Sequence, residues 1–137
     1  MWKVMLADDE KSIRTALGTL IDWQSLDCEV VYMARSGQDV LDHIGQYRPD
    51  LLITDIRMPG VDGVELANRL SGSELPIPII FLTAYTDFSY AQAAVRYSVA
   101  DYIVKPNVLE ELPQAIRRIQ ERFGMQPAEQ RTRIQQE

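Results

Sequence analysis

Asp50-Leu51-Leu52-Ile53-Thr54-Asp55-Ile56-Arg57-Met58-Pro59-Gly60 is the stretch on which the fold turns. Its unbroken apolar run, Leu51 to Thr54, is short, ends on the carboxylate of Asp55, and reads as a buried strand. Pro59, Gly60 and Gly63 then punctuate a loop, and Val64, Leu66, Ala67 and Leu70 mark one face of a helix. The same unit recurs on both sides. Upstream, Val4 to Ala7 reads as a strand, and Ile13, Ala16, Leu17, Leu20 and Ile21 follow at helical spacing. Residues 28–33, with Val30, Val31 and Tyr32, make a second strand, and Val40, Leu41 and Ile44 a short helix closed by Pro49. Downstream, residues 77–82 predict a fourth strand, with Pro78 near its start where a missing N–H is tolerated. Residues 88–97 predict a helix and 102–104 a fifth strand. Leu109, Leu112, Ile116, Ile119 and Phe123 predict a long last helix, ended by Gly124 and Pro127.

Strand–helix units in strict alternation, with continuously apolar strands, imply an α/β fold with a parallel sheet covered on both faces. Right-handed crossovers leave few topologies, and a doubly wound (βα)5, flavodoxin-like sheet in the order 2-1-3-4-5 suits this size. The 137 residues fit one domain plus a tail, and 46% hydrophobic content is enough for a real core. No apolar run is long enough for a membrane span, so a chain in aqueous solution is expected. Asp8, Asp9 and Glu10 break the first apolar segment, which is therefore no secretory signal. A single cysteine, Cys28, and a single histidine, His43, exclude a disulfide framework and a histidine- or cysteine-rich metal centre. Net charge is −6, unevenly spread: −8 over residues 1–116 and +2 over 117–137. An acidic body disfavours duplex DNA as a direct ligand, since phosphate affinity comes from Lys and Arg, and suits a divalent cation.

The polar residues at the strand ends point to chemistry. The first strand runs into Asp8-Asp9, the third ends in Asp55, the fourth in Thr83 and the fifth in Lys105. In an open parallel sheet, ligands bind beyond the carboxyl ends of the strands, where the strand order reverses. For the order 2-1-3-4-5 that point lies between strands 1 and 3, so Asp8, Asp9 and Asp55 should converge there, with Thr83 and Lys105 to one side. Clustered carboxylates repel one another, and a hard cation such as Mg²⁺ relieves this with oxygen ligands. Carboxylate, metal, ammonium and hydroxyl together form a phosphoryl-handling site, in which a carboxylate can be the nucleophile. Each feature also has a plainer reading. An Asp-Asp pair often caps a helix, Thr83 could cap the fourth helix, and Tyr102 could be only a sheet aromatic. His43 is expected to be exposed and without a phosphorelay role, Cys28 to be a core residue and Trp23 to be packing.

Leu6-Ala7-Asp8-Asp9-Glu10, the Asp50–Gly60 stretch with Asp62-Gly63, Phe81-Leu82-Thr83-Ala84 and Asp101-Tyr102-Ile103-Val104-Lys105-Pro106 occur in order, at the matching strand ends. In these pieces the chain resembles the receiver (CheY-like) domain of a bacterial two-component response regulator. Ile21-Asp22-Trp23 and Thr86-Asp87-Phe88-Ser89-Tyr90-Ala91 resemble YesN-type receivers, which usually precede an AraC-type DNA-binding output domain. The resemblance implies that residues 1–123 are the receiver and 124–137 a linker or frayed helical tail toward an output domain. It implies Asp55 as phosphoacceptor, Asp9 as direct metal ligand and Asp8 as a ligand through water. The backbone carbonyl of Arg57 completes the set, for Mg²⁺ or Mn²⁺. Lys105 would pair with Asp55 and then with the phosphoryl group, while Thr83 and Tyr102 would form the switch. The Lys105–Pro106 bond would be cis. Tyr85 and Arg57, flanking the site, would shield an acyl phosphate from water. The implied partner is a sensor histidine kinase, and the implied location of the chain is the cytoplasm. The face of helix 4, strand 5 and helix 5, with Arg96, Tyr97, Arg117 and Arg118, would serve a homodimer or the output domain.

Such a receiver assists its own phosphorylation and dephosphorylation without turning over an external substrate, and meets neither membrane nor DNA directly. A stand-alone receiver and a phosphorylation-independent interaction module are the alternatives. A haloacid-dehalogenase-type phosphatase would need an acid at position 57, where Arg57 stands, and a cap domain for which the chain has no room.

Overall fold

The computed structural model describes residues 1–72, 77–84 and 88–123. Strands β1 (Trp2–Ala7), β2 (Cys28–Ala34), β3 (Leu51–Asp55), β4 (Ile79–Thr83) and β5 (Asp101–Val104) alternate with helices α1 (Lys11–Leu20), α2 (Gly37–Tyr47), α3 (Gly63–Ser71), α4 (Phe88–Arg96) and α5 (Val108–Arg122). The five strands form one sheet in the order β2-β1-β3-β4-β5, and every neighbouring pair is parallel. The expected doubly wound topology is therefore what the chain adopts.

Side chains alternate faces along a strand, and the two cores divide accordingly. Val4, Leu6, Ile53, Ile80 and Leu82 meet Leu17 of α1 and Leu112, Ile116 and Ile119 of α5 on one face. Met5, Ala7, Leu52 and Phe81 meet Val40 of α2 and Leu66 and Ala67 of α3 on the other. The central strands β3 and β4 are buried at every position, as a sheet covered on both faces requires.

The helices start on local chemistry. Ser36 accepts a hydrogen bond from the Asp39 amide at the start of α2, and Asp62 accepts one from Glu65 at the start of α3. Glu110 and Glu111 open α5 and Arg122 closes it, in the sense the helix dipole favours. α2 spans Gly37–Tyr47 and is longer than its three apolar markers suggested, because the Ser36 cap extends it backward. Two expectations are corrected. The Lys105–Pro106 bond is trans, since there is no cis peptide among the described residues. Pro106 sits in the first positions of a 3-10 turn, Lys105–Asn107, where a missing N–H costs nothing and the Val108 amide reaches the Lys105 carbonyl. His43 is half-buried: its ring stacks on Tyr32 at 4.4 Å, and Nδ1 lies 2.9 Å from Asp39 Oδ1. Cys28 is a buried strand residue, and Trp23 packs in the core with its indole N–H on the Leu17 carbonyl.

Candidate functional site

The strand order reverses between β1 and β3, which run parallel and pair from Val4↔Leu51 to Ala7↔Thr54. That register brings the residue after β1, Asp8, and the last residue of β3, Asp55, to the same carboxyl edge. Ligand oxygens of Asp8, Asp9 and Asp55 all lie within 4.8 Å of one another. Asp8 and Asp55 are buried, 1% and 5% exposed, while Asp9 is exposed. One carboxylate thus faces solvent beside two that do not.

Lys105 answers the buried pair. Its ammonium lies 3.0 Å from Asp8 Oδ2 and 3.3 Å from Asp55 Oδ2. The expected Lys105–Asp55 contact is therefore shared with Asp8, the nearer partner. Burial works against the Lys105 charge, but the carboxylates of Asp8 and Asp55 beside its ammonium outweigh it, and its pKa is raised. Burial, seconded by the Asp8 charge, pushes the Asp55 carboxyl up to about 6, with Lys105 pulling the other way.

The β1–α1 turn is held by several bonds. The Glu10 amide donates to Asp8 Oδ1 at 2.9 Å, and the guanidinium of Arg14, on α1, donates to the Asp8 carbonyl at 2.8 Å. The helix cap is Glu10, with no side-chain cap bond, so the Asp-Asp pair does not cap α1. Below Asp55, the Gly63 amide donates to the Ile56 carbonyl at 2.8 Å. A Cβ on Gly63 would stand 2.6 Å from the Asp55 carbonyl oxygen, so only glycine permits α3 to start this close to the site. Gly60 takes a positive φ of 76°, which turns the loop between them.

Thr83, the last residue of β4, is fully buried and lies one step beyond the residue that pairs with Asp55, Leu82. Tyr102 pairs with Phe81 across β4–β5 and is half-buried. Arg57 is exposed on the loop after Asp55. Tyr85, the Thr86-Asp87 pair and residues 124–137 lie outside the described residues. On the α4–β5–α5 side, Arg118 pairs with Asp101 at 2.7 Å, Arg117 donates to the Ser25 carbonyl and Arg96 lies over the Tyr97 ring. The contacts of Arg14 and Gly63 escaped the sequence reading. The DG pair after a strand hinted at the second, whereas nothing in the spacing marked the first.

The donor set suits a hard divalent cation. It offers carboxylate oxygens only, and the buried Asp8 Oδ2 has no aligned hydrogen-bond donor, the Lys105 ammonium standing beside it as an ion pair. A cation there would balance charge that Lys105 alone leaves in excess.

Comparison with known proteins agrees with this geometry. Residues 4–117 match the response regulator receiver domain family. The chain is 36% identical over 106 residues to the uncharacterised transcriptional regulatory protein YesN of Bacillus subtilis, a match covering 77% of this chain and 29% of that protein. It is 41% identical over 106 residues to the transcriptional regulatory protein HptR of Staphylococcus aureus, covering 77% of this chain and 41% of that one. The chain thus spans less than half the length of these curated relatives. Among solved structures, the REC domain of AraT, a response regulator from Geobacillus stearothermophilus, superposes with a TM-score of 0.77 at 36% identity, over 88% of this chain and 96% of that one. Among the described residues, no helix is long and apolar enough to cross a membrane.

Proposed function

The chain belongs to the response regulator receiver domain family, and on that premise we propose that Asp55 is the phosphoacceptor of a cation-dependent signalling switch. The observation that carries this reading is the meeting of Asp8, Asp9, Asp55 and Lys105 at the reversal point of the sheet. With a pKa near 6, Asp55 is mostly ionised at neutral pH and can act as a nucleophile. Its oxygen attacks the phosphorus of a phosphohistidine on a sensor kinase. The O–P bond forms as the P–N bond breaks, and the imidazole leaves. Asp8, Asp9, Asp55 and the Arg57 backbone carbonyl would hold Mg²⁺ or Mn²⁺, which when bound neutralises charge on the transferring group.

The protein's own groups do the rest. Lys105, shared between Asp8 and Asp55, is within reach of a phosphoryl group on Asp55 and compensates its charge. The Thr83 hydroxyl donates to a phosphoryl oxygen, and Tyr102 follows it inward, reshaping the face of α4, β5 and α5. Arg57, exposed beside Asp55, screens the acyl phosphate from water. The domain is a switch and not a turnover enzyme. Residues 1–123 form the receiver, and 124–137 lead toward a DNA-binding output domain in a cytoplasmic transcription regulator, with homodimerisation through the switched face. The regulatory names of YesN and HptR support that context.

The test is intact mass after incubation with a small phosphodonor. One added phosphoryl group is expected in wild type with Mg²⁺, and none without it or in Asp55→Asn. A folded protein that takes up no phosphoryl group under any condition would overturn the reading in favour of an interaction module.

A further inference from the structure

We infer that Arg14 is a positioning residue for cation binding, which holds the Asp8–Asp9 peptide in the orientation that aims both carboxylates at Asp55. The inference rests on the reading of the site as a cation centre. Arg14 meets no carboxylate there in any ion pair of the described residues; its guanidinium donates to the backbone carbonyl of Asp8 at 2.8 Å. That carbonyl belongs to the peptide group joining Asp8 to Asp9, so fixing it fixes the plane from which the Asp9 side chain departs. Asp9 is the exposed member of the cluster and has neither of the close contacts that hold Asp8, the Glu10 amide on Oδ1 and Lys105 on Oδ2.

The same bond closes a ring of contacts between turn and helix. The Arg14 amide donates to the Glu10 carbonyl, the Glu10 amide donates to Asp8 Oδ1, and the Arg14 side chain returns to the Asp8 carbonyl. α1 has no side-chain cap at Glu10, so this ring is what ties its first turn to the acids. Arg14 itself is half-buried, and its planar guanidinium is pre-organised, so less side-chain entropy is lost per hydrogen bond formed.

Charge and position predict opposite signs, which makes the inference decidable. A guanidinium bonded to the Asp8 carbonyl adds positive charge at this turn and repels an incoming cation, so if it acted only as a charge, its removal would tighten Mg²⁺ binding. If it positions the turn, its removal weakens binding. The experiment is a calorimetric Mg²⁺ titration of the full chain as wild type, Arg14→Met, which keeps the stem and loses the donors, and Arg14→Lys, which keeps a charged donor. Thermal unfolding and amide exchange are measured alongside without metal.

Affinity is expected in the order wild type, Lys, Met, with Arg14→Met down roughly tenfold, the scale of one charge-assisted hydrogen bond. The Asp9 and Glu10 amides should exchange faster in metal-free Arg14→Met. Phosphorylation should return to its wild-type maximum at saturating Mg²⁺, a loss in half-saturation without a loss in rate. Equal or tighter Mg²⁺ binding by Arg14→Met overturns the inference, as does unchanged exchange at Asp9 and Glu10. A wild type that binds no Mg²⁺ would instead sink the cation-centre reading, and the exchange measurement would still decide whether Arg14 holds the turn.

Discussion

Asp55→Asn is expected to stabilise the metal-free protein, and only above the pH at which Asp55 ionises in the unfolded chain. Its carboxyl is 5% exposed and its pKa is raised from 3.8 to about 6, chiefly by burial and then by Asp8. A raised acid pKa means that the folded state keeps a proton the unfolded chain has already released. Below about pH 4 both states are protonated and ionisation carries no penalty. As pH rises to about 6 the folded state loses stability relative to the unfolded chain, and above that the penalty is complete. At 1.36 kcal/mol per pKa unit, the shift corresponds to about 3 kcal/mol. Asparagine has nearly the same shape and cannot ionise. Urea unfolding of both proteins in metal-free buffer between pH 4 and 8 reads the difference directly. The stability of Asp55→Asn minus that of wild type should grow by about 2–3 kcal/mol across this window and then level off. Saturating Mg²⁺ should close the gap by stabilising the wild-type native state. A gap that stays flat with pH, or that shifts in favour of wild type, would refute the claim that the fold holds Asp55 as an unfavourable buried charge.

Three further outcomes follow from the same geometry. Gly63→Ala should lose about 1–3 kcal/mol in urea unfolding, because the new methyl would stand 2.6 Å from the Asp55 carbonyl oxygen and 2.9 Å from the Ile56 Cα. Equal stability would mean that the start of α3 shifts without cost. Mg²⁺ affinity should fall as pH drops through about 6, because the cation must then displace the proton of Asp55; calorimetry at pH 5 and 8 that gave the same constant would contradict this. Lys105→Met should bind Mg²⁺ more tightly, since the competing ammonium beside Asp8 is gone, and yet phosphorylate about 10²-fold more slowly, the scale of one lost electrostatic contact to the reacting group. A variant that lost both would show that Lys105 holds the acids in place and does not act on the phosphoryl group.

The fold was legible because its signal is long-range and redundant. Leu51 to Thr54 had to be a central strand, since an unbroken apolar run that short is buried on both faces, and β3 is. Once the order 2-1-3-4-5 was set, topology alone brought Asp8 and Asp55 to one edge, with no need to know a single side-chain contact. What the sequence did not disclose depends on three-dimensional detail a few ångströms across. Lys105 at the end of β5 could be placed near Asp55, but its division between two carboxylates depends on the depth of Asp8, which no pattern encodes. The trans bond at Pro106 is decided by the 3-10 turn that receives it. His43 reads as a surface residue next to Asp42, whereas its burial comes from Tyr32 on a different element. Arg14 bonds a backbone carbonyl, a partner present at every residue and therefore invisible to spacing.

The central claim is that Asp55 is the residue that takes the phosphoryl group. The most direct test is borohydride trapping of the phosphorylated chain followed by peptide mass mapping. Reduction converts an aspartyl phosphate to homoserine and leaves other aspartates unchanged. Homoserine at position 55 alone, formed only with divalent cation, is the predicted result. Homoserine at Asp8 or Asp9, or a phosphoryl group that survives reduction on a hydroxyl such as that of Thr83, would contradict it.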